Sequence, residues 1–152
     1  MRPSRKAPAR DATADIEAEV LGVYRKLEAR PVERACTLRT ECCRFQLTGM
    51  IPYLTRGEAR IAARALRRAG RVKLPLRDDG ACPLLDAKGK CLVYSDRPFG
   101  CRTHFCAAAG GPYARTEVLD LIRELEGIDR RLGGDGARPL PSAVARALRD
   151  LD

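Results

Sequence analysis

The stretch "CPLLDAKGKCLVYSDRPFGCR", residues 82–102, sets two short apolar runs on either side of the turn-forming "DAKGK". That is the pattern of a β-hairpin, and it predicts that Cys82 and Cys91 begin the two strands. Arg97-Pro98 predicts a rigid turn that presents Cys101, because the proline ring fixes φ and holds the residue before it extended. Upstream, "ACTLRTECCRF", residues 35–45, adds Cys36, Cys42 and Cys43. Downstream, "CRTHFC" adds Cys106 and His104, the only histidine in the chain. All seven cysteines and the imidazole lie in one central block.

Three uses for these sulfurs compete. A disulfide framework suits an exported protein and an even cysteine count. Here the count is seven, and the amino-terminal "MRPSRKAPARDATADIEAEV" lacks the apolar run of a secretory signal. The expectation is a cytoplasmic protein with reduced thiols. A catalytic thiol needs a base within hydrogen-bond reach; "CRTHFC" places Cys and His close in sequence, but no C-x-x-C stands at a helix start. A thiol-dependent redox enzyme is therefore a second alternative, and enzymatic activity is left open. Metal chelation accounts for the clustering best, since thiolates and imidazole select zinc, Cu(I) and iron–sulfur clusters over hard cations. A bound metal would also cross-link a core built with only 5% aromatic residues and no Trp.

The spacing is not that of a zinc finger. Successive cysteines are separated by five, no, 38, eight, nine and four residues, whereas finger ligands pair across two to four. Adjacent residues of an extended chain point to opposite sides, so Cys42 and Cys43 share one site only if the chain turns between them. Eight donors suffice for two tetrahedral sites, or for one site with spectators that act as small buried hydrophobes. His104 reads equally well as a ligand or as a polar loop residue.

"ECCRF" followed by "CPLLDAKGKCLVYSDRPFGCR" resembles the bacterial YkgJ-like cysteine-cluster family, a zinc- or iron-chelating domain of the CxxCxxCC type. The resemblance covers roughly residues 36–106, and Cys82, Leu84 or Leu85, Asp86, Cys91, Tyr94, Arg97, Pro98, Cys101 and Arg102 carry its specific second half. It implies chelation of zinc or iron, with Cys36, Cys42, Cys43, Cys82, Cys91 and Cys101 as the main ligand candidates. Where the family's second cysteine falls, three residues after Cys36, this chain has Arg39. That departure leaves Cys106 and His104 to complete the donor set. Because four thiolates around Zn²⁺ carry a net charge of about −2, Arg44, Arg97 and Arg102 are placed to stabilise such a site.

The flanks read as helices. Ile16, Val20, Val23 and Leu27 recur at helical spacing before Pro31, and Thr55 with Glu58 forms a capping box for a helix over 56–69 that Gly70 closes. Its apolar side, Ile61, Ala62, Ala65, Leu66 and Ala69, is narrow. Val118, Leu121, Ile122, Leu125 and Ile128 mark a strongly amphipathic helix. A Gly- and Pro-rich linker then leads to a terminal helix with Ser142 as N-cap. At 152 residues this predicts one domain, mainly α with a small β-hairpin and stabilised by metal. The expected divisions are a disordered basic tail over 1–10, a cysteine-cluster domain over 11–132, a linker over 133–141 and a helix over 142–152.

The net charge of +9 includes a stripe of Arg56, Arg60, Arg64, Arg67 and Arg71 at helical steps. Such a stripe could follow phosphates or meet an acidic protein partner, though it lacks the interleaved aromatics of a single-strand binder. A basic, zinc-stabilised module that binds nucleic acid or a protein partner is thus the first alternative to simple metal binding. No stretch approaches a membrane span.

Overall fold

Helix α1, Ala9–Glu28, begins the architecture and ends three residues before Pro31. Our computed structural model describes residues 9–30, 51–74, 79–103 and 113–151. Strand β1, Tyr53–Leu54, leads into α2, Arg56–Arg68; a short helix α3, Phe99–Thr103, follows the loops of residues 79–98. Helix α4, Arg115–Arg131, strand β2, Arg138–Pro139, and helix α5, Leu140–Asp150, complete the chain. The fold is a mainly helical single domain with a small antiparallel β element. No helix among the described residues is long and apolar enough to cross a membrane.

Helix α2 is the centre of the molecule, and its small side chains are the reason. Leu54, Ala59, Ala62, Ala63, Ala65 and Leu66 join Leu140, Val144, Ala147 and Leu148 of α5 in one core cluster. Ile61, on another side of the same helix, joins Val20, Val23, Tyr24 and Leu27 of α1 with Val118, Leu121, Leu125 and Ile128 of α4. Alanines let neighbours approach on both sides, so the buried surface is wider than the narrow face the sequence predicts. A Cβ on Gly57 would lie 2.8 Å from Val20 Cγ2, which shows how close α1 comes. Ala69, expected on the apolar side, is instead exposed as the C-cap.

The ends of α2 follow its sequence signals. Glu58 accepts the backbone N–H of Thr55 at 3.0 Å, as the capping box requires. At the far end Gly70 takes φ +81°, and Arg71 N donates to Leu66 O while Gly70 N donates to Arg67 O. This is a Schellman closure, which needs the left-handed conformation glycine adopts readily.

The β structure differs from expectation in detail. The paired strands are β1 and β2, with Tyr53 opposite Pro139 and Leu54 opposite Arg138. Residues 82–94 close as a turn with a single antiparallel bridge, Leu85 to Cys91. Cys82 opens a turn, its carbonyl accepting Leu85 N, rather than beginning a strand. Pro83 has no N–H for a ladder, and Leu84 and Leu85 are both buried, so the in–out alternation of a strand is missing.

The terminal helix begins two residues before the predicted start: Pro139 is its N-cap, and Ser142 Oγ donates to Pro139 O from within the first turn. The first helix likewise takes in Ala9 and Arg10 of the stretch read as tail.

Asp129 ties α4 to α2. Its buried carboxylate accepts Arg56 N at 2.9 Å, at the first turn of α2, and Gly136 N at 3.0 Å. A Cβ on Gly134 would overlap that carboxylate. Gly134→Ala is expected to destabilise the fold by about 1–3 kcal/mol through this overlap. Gly127→Ala, inside α4 and with only Arg130 Nη2 nearby at 3.9 Å, should instead stabilise it by about 0.5–1 kcal/mol. Urea midpoints of the two variants measure both effects, and a neutral Gly134→Ala would remove the steric account.

Candidate metal centre

Cys82, Cys91 and Cys101 come from separate turns, and all three border the core cluster between α2 and α5. Cys82 is buried, while Cys91 and Cys101 are half-buried. The residues between them hold each turn in shape. Asp86 Oδ1 accepts Lys88 N at 2.8 Å and Lys90 N at 2.9 Å, and Gly89 supplies the positive φ of +79° that closes the loop. These backbone donors and the two lysines keep the Asp86 carboxyl below its usual pKa. The loop then returns to the core: Leu92 N donates to Leu84 O at 2.8 Å, and Val93 is buried.

A 3₁₀ turn over Tyr94–Asp96 leads to Arg97-Pro98. The Pro98 carbonyl accepts both Cys101 N, at 3.0 Å, and Arg102 N, at 3.1 Å, so the proline starts the short helix that carries Cys101. Arg97 folds back on this turn, its Nε donating to Tyr94 O and its guanidinium lying 4.0 Å from the Tyr94 ring centroid.

Arg102 is a staple. Its Nε donates to Arg97 O at 2.6 Å and its Nη2 to Ser95 O at 3.0 Å, while its Nη1 pairs with Glu28 at the end of α1. The guanidinium stacks 4.3 Å from the centroid of the Tyr24 ring. One buried side chain thus fixes the Cys101 turn and fastens it to α1. Arg44, the third arginine of the sequence reading, lies outside the described residues.

Beneath this staple is a polar network of which the sequence marked only the Thr55–Glu58 capping box. The buried Glu58 accepts four hydrogen bonds: Thr55 N at 3.0 Å, Thr55 Oγ1 at 3.1 Å, Phe99 N at 2.7 Å and the Tyr24 hydroxyl at 3.1 Å. It therefore serves the start of α2 and the start of the helix bearing Cys101 together. Burial raises the Glu58 pKa above its usual value, and the four donors pull against that shift. Burial, reinforced by the neighbouring Glu58, pushes the Tyr24 hydroxyl well up. The capping-box pattern marked Glu58, but nothing local marked its contact with Phe99, 41 positions away.

Cys36, Cys42, Cys43, His104 and Cys106 lie outside the described residues. Among the described residues no three His, Cys, Asp or Glu stand close enough to hold a metal ion. The donor chemistry suits a thiophilic metal, because the candidates are thiols and one imidazole, and Cys82, Cys91 and Cys101 lie in or against one core cluster. Residues 34–120, more than half of the chain, match the CxxCxxCC family, described as "Putative zinc- or iron-chelating domain". The chain belongs to this family. No curated protein and no solved structure matches it. In this CxxCxxCC domain, the motif residues between the cysteines act as scaffolding: Asp86, Arg97, Pro98 and Arg102 each shape a turn next to a thiol.

The arginine stripe is largely built into the fold. Arg60 and Arg64 both reach Glu17 of α1, at 3.4 and 2.8 Å, and Arg67 Nη2 donates to Leu148 O of α5 at 3.1 Å. Arg56 Nη1 points to Leu132 O at 3.5 Å, and Arg71 is exposed just past the helix.

Proposed function

We propose that the chain chelates zinc or an iron–sulfur cluster through Cys82, Cys91 and Cys101, completed by donors from among Cys36, Cys42, Cys43, Cys106 and His104. The observation that carries this is that Cys82, Cys91 and Cys101, though not grouped as a metal site by themselves among the described residues, lie in or against one core cluster, with Asp86 and Arg102 of the family motif bracing the loops that bear Cys91 and Cys101. The flanks of the segment over 31–50 support it. Before that segment, Glu28 is paired with Arg102, the neighbour of Cys101. After it, Pro52 packs on Gly100, where an added Cβ would lie 3.4 Å from Pro52 Cβ. The described residues on either side of 31–50 thus both meet α3. Cys106 follows Thr103 by three residues, within about 11 Å of chain.

When bound, the metal would supply cross-links among the loops that carry these donors. Elemental analysis with a visible spectrum, on protein purified without oxygen or added metal, tests the reading. Iron with sulfide and absorption near 400 nm, roughly where thiolate-ligated clusters absorb, would identify a cluster. Stoichiometric zinc in colourless protein would identify a zinc site. Metal-free protein that keeps its fold in this preparation would defeat the proposal.

A further inference from the structure

Helix α2, the α4–β2 connection and α5 line a hollow of about 120 Å³. Its apolar lining comes from Leu54, Ala59, Leu132, Ala143 and Ala147, where small alanines leave the space unfilled. Four arginines from three elements converge on it: Arg56 and Arg60 from α2, Arg138 from β2 and Arg146 from α5. Two carboxylates, Asp135 and Asp150, also line it, so the formal balance is two positive charges.

From this convergence we propose that the hollow is a binding site for a dianionic phosphate monoester group. Its volume of about 120 Å³ leaves room for a small tetrahedral group. A phosphate monoester carries a charge of about −1.5 to −2 near neutral pH, opposite in sign to the net charge of the lining, in which Arg60 is already engaged by Glu17 from α1. Guanidinium groups present paired donors in a fork that fits phosphate oxygens.

The arginines are held for the purpose at different strengths. Arg56 and Arg60 are braced by Leu132 O and by Glu17. Arg146 approaches Asp150 only to 3.9 Å, beyond hydrogen-bond distance, and both side chains are mostly exposed. Arg138 is held by Asp135, whose side chain is 71% exposed and can swing into solvent when an anion arrives. Asp135 thereby acts as a resident competitor for Arg138. The inference does not rest on the metal reading, since none of the lining residues among the described ones is a cysteine.

Titration of the full chain with inorganic phosphate and with methyl phosphate at constant ionic strength, followed by the arginine Nε–H resonances, tests it. Saturable shifts at millimolar ligand are expected for arginines of the hollow. Arg138→Gln with Arg146→Gln should weaken binding by about tenfold or more, as loss of charge-assisted bonds implies. Arg149→Gln, on α5 but outside the hollow, should leave binding unchanged. Asp135→Asn should tighten binding severalfold, an outcome that a purely structural Asp135–Arg138 pair would not produce. Shifts that never saturate, equal binding by the double variant, or equal affinity for acetate and dimethyl phosphate would overturn the proposal.

Discussion

Replacing Cys101 by Ser is expected to lower metal content and unfolding free energy together. The loss should be the largest of any single substitution considered for this chain. Structural zinc in finger peptides contributes about 10–16 kcal/mol of apparent binding energy to folding. Here the two helical clusters keep much of their own core, so a loss of more than about 4 kcal/mol is expected, short of that upper figure. For a chain of this length it corresponds to a fall in Tm of about 10 °C or more. Cys101 gives a cleaner test than Cys82, because Cys82 is only 3% exposed and a serine hydroxyl there carries its own burial cost. Chelator treatment of the unmodified protein should reproduce the loss. Equal metal content and an equal denaturation midpoint in Cys101→Ser would remove Cys101 from the donor set.

Glu58→Ala should cost about 3–5 kcal/mol, the range seen when one partner of a buried charged network is deleted. The substitution leaves the Tyr24 hydroxyl, Thr55 N, Thr55 Oγ1 and Phe99 N without their shared acceptor, and Tyr24, Thr55 and Phe99 are each buried. Glu58→Gln keeps one acceptor oxygen and should cost less. The two proteins also respond differently to acid. Burial raises the Glu58 pKa in the folded state, so the fold holds the Glu58 proton more tightly than the unfolded chain does. Its contribution is then fully favourable below the ordinary carboxyl range, and it is lost as pH rises through the raised folded value. Stability of the native protein relative to Glu58→Gln should therefore improve as pH falls from neutral toward that ordinary range. A difference that stays flat would mean that the four donors fully offset burial.

The helices were legible because their signals are local. The apolar period of α1, the amphipathic stripe of α4 and the Thr55–Glu58 and Gly70 boundaries of α2 each depend on residues within a few positions of one another. What escaped the sequence depends on distance. The strand pair joins Leu54 to Arg138, and Asp129 caps a helix that begins 73 positions earlier. The cysteine block lies between these cases. Its turns could be read from "DAKGK" and from Arg97-Pro98, but the extended hairpin could not survive Pro83 and two consecutive buried leucines. Arg102 was legible as a positive charge near sulfur; its role as a staple depends on Glu28 and Tyr24, which no spacing rule connects to it.

The antiparallel pair between Tyr53–Leu54 and Arg138–Pro139 bears on timing as well as on architecture. Synthesis runs from the amino terminus, so every cysteine has been made before the second strand exists. Helix α5, which contributes Leu140, Val144, Ala147 and Leu148 to the cluster bordered by Cys82, Cys91 and Cys101, is made last. A nascent chain stalled before residue 138 therefore has its full complement of thiols but lacks the part of the wall that α5 supplies. On the proposed reading, metal taken up at that stage would meet turns that α5 does not yet back.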